Sequence, residues 1–182
     1  MIMVRMYLFR GVSATGKTTL TNRLGELYHI PVFRKDNIYD SIVSDMTHGD
    51  KTRICYDALV GMIQTNLDLG IDVMVDIALP HRAYIDLFLG KLDLGNCELI
   101  PFFCICSDHA TWKSRWVERM KNPAPNQLFV DIDEVDEYYN QFDFTLLENE
   151  ITIDSMDCVE SILSGLENFF GRGNYSSLVG DE

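Results

Sequence analysis

The chain is short of positive charge. Of its 182 residues, 15 are Lys or Arg and 28 are Asp or Glu, a formal net charge of −13 at pH 7. An acidic surface repels nucleic acid and anionic membrane at long range, so neither a long nucleic acid nor a membrane surface is an expected partner. No apolar run approaches the roughly 20 residues that cross a bilayer. The five cysteines (Cys55, Cys97, Cys104, Cys106, Cys158) form no C-x-x-C pair, which argues against a structural zinc site. Cys104 and Cys106 are read as two buried small hydrophobes on one strand face. His29, His48, His81 and His109 fall at no metal-ligand spacing. An odd cysteine count, and a first segment without the basic, apolar and cleavage regions of a secretory signal, lead to the expectation of a cytoplasmic protein. There is no internal repeat and no low-complexity block.

What is present is an ordinary globular balance, 47% hydrophobic and 24% charged. The length suits one domain over residues 1–170 with a sizeable core. Apolar runs at 3–9, 31–34, 71–76 and 98–106, and one within 144–154, read as strands. Helical periodicity follows at 19–28 (Leu20, Leu24 and Leu27 on one face), from Asp36 or Asn37 to 46, and at 50–69, where Gly70 is the stop. It returns at 80–92, from a cap at Ser107-Asp108 to 121, at 133–141 and at 155–170. Gly49-Asp50 interrupts the pattern. Asn122-Pro123-Ala124-Pro125-Asn126-Gln127 is a strong breaker and a candidate mobile lid, about 120–130. Residues 171–182 are polar and glycine-rich, and are expected to be a frayed tail. Strands alternating with helices predict an α/β fold whose mainly parallel sheet is covered on both faces. Right-handed crossovers then gather ligands at the C-terminal ends of the strands.

Residues 11–18 read Gly11-Val12-Ser13-Ala14-Thr15-Gly16-Lys17-Thr18, the phosphate-binding pattern G-x-x-x-x-G-K-[ST]. Such a loop wraps backbone N–H groups around polyphosphate oxygens and ends at a helix N-terminus carrying positive dipole. Gly11 and Gly16 permit backbone angles and close approach that a Cβ blocks. Ser13, Ala14, Thr15 and Thr19 complete the expected cradle. Lys17 reaches the β- and γ-phosphates and the Thr18 hydroxyl binds Mg²⁺. The strand-like run before the loop and the helical run after it are the required context. ATP and Mg²⁺ are therefore the expected nucleotide and metal. No D-x-x-G follows and no N-K-x-D occurs, which argues against a guanine-nucleotide switch.

Four other positions fall at predicted strand ends or beside the breaker. Asp76 closes an apolar strand, where a carboxylate is held near Mg²⁺. Asp36 lies 19 residues beyond Lys17, at the end of the second strand. It is either the general base for an attacking hydroxyl or an N-cap, and also a candidate substrate contact. Arg115 and Arg119 share a helix face, where they either neutralise charge on a transferring phosphoryl group or flank packed tryptophans. Arg82 opens the helix after Asp76 and is a candidate contact for acceptor or phosphate, or a solvated first-turn residue.

With these residues in place, the chain resembles the small P-loop kinases of the AAA-like zeta-toxin, chloramphenicol phosphotransferase and polynucleotide kinase group, and more loosely the shikimate and gluconate kinases. The likeness spans about 3–170. It rests on R-G-V-S-A-T-G-K-T-T-L, K-D-N-I, V-M-V-D-I-A and R-W-V-E-R. It implies a three-layer P-loop NTPase, nucleoside/nucleotide-kinase-like, with a five-stranded parallel sheet, Mg-ATP as donor and a hydroxyl as acceptor. It assigns the base to Asp36, the Mg-associated carboxylate to Asp76 and lid arginines to Arg115 and Arg119. The chain departs from D-x-x-R, where relatives carry an acceptor-binding arginine: Tyr39 holds that place. The expected function is an ATP-dependent kinase of a small-molecule hydroxyl. Its rivals are a polynucleotide or toxin-like kinase and an ATP-binding regulatory module.

Overall fold

The computed structural model of the chain describes residues 3–42, 46–127, 129 and 131–170. The expected tail, 171–182, lies outside them. Five parallel strands run in the order β2-β3-β1-β4-β5. They are β1 (Arg5–Arg10), β2 (Val32–Arg34), β3 (Val73–Ile77), β4 (Glu98–Ile105) and β5 (Ile151–Asp154). The helices are α1 (Lys17–Tyr28), α2 (Lys35–Ser41), α3 (His48–Asp68), α4 (Arg82–Leu89), α5 (His109–Arg119), α6 (Ile132–Asn140) and α7 (Val159–Phe170).

The central strand reads as a continuous apolar run because both its faces are buried. Met6 and Leu8 join Val73, Val75 and Ile77 on one face, packed under Leu59 and Ile63 of α3 and Ile85 and Phe88 of α4. Tyr7 and Phe9 join Met74, Phe102 and Cys104 on the other, under Leu20 and Leu24 of α1 and Leu166 and Phe170 of α7. This period-two alternation makes the three layers. Phe170 anchors α7 by stacking on Tyr7 at 4.3 Å and on Tyr28 at 4.9 Å. A smaller cluster of Trp112, Trp116 and Val135 joins α5 to α6 beside the sheet.

Several expectations shift. Leu27 is 59% exposed, because the buried stripe of α1 continues through Thr21 and Leu24 to Tyr28 instead. Gly49 does not interrupt a helix: Thr47 caps α3 by accepting from the Asp50 N–H, so Gly49 sits in the first turn. Cys104 is buried in the core, but Cys106 lies past the end of β4, half-buried beside α5. The last helix starts at Val159, not at 155, which leaves Ser155 in the loop after β5. Asp108 caps α5 as expected, accepting from the Thr111 N–H at 2.8 Å. Gly70, at φ +77°, follows α3 in the left-handed conformation that ends helices.

Candidate active site

The loop of residues 11–16 leaves β1 and feeds α1. Gly11 has φ +142°, and a Cβ there would stand 2.2 Å from the Cys104 carbonyl oxygen, so only glycine fits against β4. Gly16, at φ +79°, is the N-cap of α1, and no side chain caps that end. The α1 N-terminus therefore presents free N–H groups and positive dipole. Lys17 is buried, and its Nζ donates to the carbonyls of Gly11 (2.9 Å) and Val12 (2.6 Å). Burial pushes its pKa down, Asp76 chiefly opposes that, Asp36 opposes it as well, and Arg119 adds to it. The charges of Asp76, Asp36 and Arg119 thus all act on one ammonium.

Asp76, one residue before the end of β3, receives the Thr18 hydroxyl at 2.9 Å and the Thr21 hydroxyl at 3.2 Å on the same oxygen. Arg34, the last residue of β2, donates to that oxygen from Nε at 3.0 Å and to Thr21 Oγ1 from Nη2 at 2.8 Å. The register explains the meeting, since Arg34 pairs with Asp76 across parallel strands. Sequence reasoning missed Arg34, and the strand-end position it shares with Asp76 was its one signal. Among the described residues no three His, Cys, Asp or Glu side chains gather for a metal. Mg²⁺ needs no such gathering. It keeps waters and phosphate oxygens and takes one or two protein oxygens, for which the Thr18 hydroxyl and the Asp76 carboxylate are suited.

Asp36 does not cap α2. The helix begins at Lys35 with Arg34 at the cap position and no side-chain cap bond, which puts Asp36 inside the first turn. Its carboxylate is 41% exposed and ion-paired to Lys35 at 3.0 Å. Arg115 donates to Ser155 Oγ at 2.6 Å and to the Ser155 carbonyl at 3.0 Å, which ties α5 to the loop after β5. Arg119 is exposed, and its side chain has no hydrogen-bond or ion-pair partner among the described residues. Arg82 is not brought to the site. Its Nε pairs with Asp86 at 2.9 Å and its Nη1 donates to the Leu146 carbonyl at 2.7 Å, and it lines neither cleft described next.

Two clefts meet at the glycine loop. The smaller, about 440 Å³, is lined by Ala14 to Leu20, Arg115, Arg119 and the Ser155–Ile162 side. The larger, about 1190 Å³, carries Ser13, Lys35 and Asp36 on its wall, with His48 of α3, Phe88 of α4 and Asn126 of the proline loop. Ser13 is further gripped from α5 and α6. Its N–H donates to Tyr139 Oη at 3.2 Å, and its carbonyl accepts from Trp112 Nε1 at 2.8 Å. Asn126 donates to Asp40 of α2 at 3.1 Å, linking the proline loop to the helix that bears Asp36. Sequence reasoning missed both links, which join residues 86 to 126 positions apart.

A cleft on the glycine loop, beside a second cleft that carries a carboxylate, is the site that this α/β fold presents. No protein-family model and no curated protein matches the chain. Solved structures share its fold. A candidate kinase from Chloroflexus aurantiacus superposes with TM-score 0.74 at 14% identity, covering 92% of this chain and 98% of that one. A sugar kinase from Janibacter sp. HTCC2649 gives 0.63 at 13%, covering 92% and 95%. A gluconokinase from Sinorhizobium meliloti 1021 gives 0.62 at 14%, covering 97% and 99%. The chain thus shares the three-layer α/β fold of these kinase-described structures. Of the two likenesses read from the sequence, the wider one, to gluconate kinases, has a structural counterpart here; the narrower group is represented by none of these three.

Proposed function

We propose that the chain is an ATP-dependent kinase that transfers the γ-phosphoryl group to a hydroxyl of a small molecule. The observation that carries this is the meeting of the clefts: Ser13 lines the larger, while Ala14 to Thr19 line the smaller. A ligand in each would touch the other at the loop. Kinase-described structures of the same fold add to it.

The N–H groups of residues 13–19 and the α1 dipole hold the phosphates. Lys17 releases its loop carbonyls and turns its charge onto the β- and γ-phosphates. Thr18 and Asp76 would hold Mg²⁺, which would supply charge neutralisation on the phosphates. Arg34 fixes the Asp76 carboxylate in rotation. Asp36 accepts the proton of the acceptor hydroxyl as its oxygen bonds to the γ-phosphorus and the β–γ bridging bond breaks, releasing ADP. Arg119 swings toward the equatorial oxygens, where its charge counts most in the transition state. Arg115 lines the same cleft from its fixed place on Ser155. The test is acceptor-dependent transfer of label from γ-labelled ATP into a pool of small hydroxyl compounds. Consumption of ATP that no acceptor accelerates would favour a regulatory module instead.

A further inference from the structure

The large cleft has a chemistry of its own. Phe129, Tyr138, Phe142 and Tyr84 form a continuous aromatic wall: Phe129 to Tyr138 is 4.8 Å between centroids, Tyr138 to Phe142 4.6 Å and Tyr84 to Phe142 6.1 Å. Leu87 and Trp116 extend it. Part of this wall is open to water, with Tyr84 48% and Leu87 68% exposed. Contiguous exposed apolar surface in a concave site marks a place where a ligand is covered. At about 1190 Å³ the cleft also exceeds the usual 300–1,000 Å³ of small-ligand pockets, so a bare sugar would leave most of the wall wet.

The charged residues on the cleft cancel. Lys35 pairs with Asp36, Arg53 with Asp50 and Asp57, Lys91 with Asp57, and Asp86 with Arg82. His48 is held toward its neutral form by burial, then by Lys35 and Lys51, and its ring nitrogens face Tyr39 Oη and Thr52 Oγ1. An anionic acceptor needs an uncommitted cation. Here each cation of the lining already stands beside a carboxylate, Lys35 at 3.0 Å, Lys91 at 2.7 Å and Arg53 more loosely at 3.7 Å.

We infer that the acceptor is an uncharged alcohol carried on an aromatic or similarly flat apolar body, and not a sugar acid, a sugar phosphate or a simple polyol. The body lies along the Phe129–Tyr84 wall and the hydroxyl points to Asp36. This rests on the kinase reading for the word acceptor, but the ligand class is tested without nucleotide. Titration calorimetry compares matched probes on the full chain: phenyl β-glucoside with glucose and gluconate, 3-phenylpropane-1,2-diol with glycerol, and thymidine with deoxyribose. The aryl member of at least one pair is expected to bind at least about tenfold more tightly than its partner, which is the scale of one buried aromatic contact. The exposed-site variant Tyr84→Ala is expected to lose most of that margin while keeping its melting temperature. Tightest binding by gluconate, or no aryl advantage in any pair, overturns the inference, as does an advantage that Tyr84→Ala leaves intact. The same probes are then run with γ-labelled ATP. Aryl-selective binding without transfer upholds the ligand class and sinks the kinase reading. Transfer to gluconate or glycerol alone upholds the kinase reading and overturns the ligand class.

Discussion

Asp36 and Asp76 look alike in the sequence, each a carboxylate at the end of a strand, yet they stand in opposite surroundings. Asp76 is buried and receives two threonine hydroxyls and a guanidinium. Those contacts fix the rotation of its carboxylate. Asp36 is 41% exposed, with one lysine partner, on the wall of the large cleft. That leaves an oxygen able to take a proton. Asp36→Asn keeps size and removes the base, and in the first turn of α2 it forfeits a dipole interaction of about 0.3–1 kcal/mol and the partly exposed ion pair to Lys35. Its expected outcome is normal folding by circular dichroism, unchanged ATP affinity, and phosphoryl transfer lower by about 10²–10⁴. A rate within a few-fold of wild type would remove Asp36 from the chemistry. The P-loop was legible because its meaning lies in eight consecutive residues whose backbone makes the site. The alternative of Asp36 as a cap failed because the cap position is Arg34 and the helix begins at Lys35, two residues earlier than a cap at Asp36 requires. The role of Arg34 was not legible: the strand pairing that sets it beside Asp76 joins residues 42 apart.

The helix α5 carries two arginines that the sequence treats as a pair and the fold separates. Both line the smaller cleft, but Arg115 is pinned by two bonds to Ser155 and Arg119 is free among the described residues. The tryptophans explain this. Trp112 and Trp116 are buried and fix the rotation of α5, so Arg115 reaches the loop after β5, while Arg119, in the last turn, keeps an exposed side chain on the same cleft. Arg119→Ala is expected to lower kcat at least about tenfold with nucleotide affinity nearly unchanged, because its charge acts in the transition state. Arg115→Ala is expected to weaken nucleotide binding and kcat together, since it loosens the wall of the cleft. Steady-state kinetics beside nucleotide titration separate the two. Equal effects of the two variants on binding and on rate would contradict the division.

At the scale of the whole molecule, the site edge of the sheet is tied by a buried ion pair. Arg10, the residue before the glycine loop, is fully buried and grips Glu150 through Nε and Nη2, both at 2.7 Å. It also donates to the carbonyls of Pro80 and Thr145, at 2.6 and 3.0 Å. One side chain thus joins the end of β1, the loop after β3 and the approach to β5. Arg10→Ala strands the Glu150 carboxylate and is expected to cost about 3–5 kcal/mol in urea unfolding, the usual penalty for breaking a buried pair. Lys113→Ala, which removes a partly exposed partner of Asp136, is expected to cost less than about 1 kcal/mol. The parallel sheet and its helical layers were readable from the alternation of apolar runs, but the strand order and this pair were not, since the pair's partners lie 140 residues apart. What the whole arrangement is for comes down to one comparison, the acceptor-dependent transfer of label from γ-labelled ATP by the wild-type chain and by Lys17→Ala. Wild type is expected to deposit label on a hydroxyl compound, and Lys17→Ala to do so slower by about 10²–10³, the cost of removing one fixed charge-stabilising group from a site that excludes water. Equal transfer by the two, or no acceptor-bound phosphate from the wild type, would contradict the kinase reading.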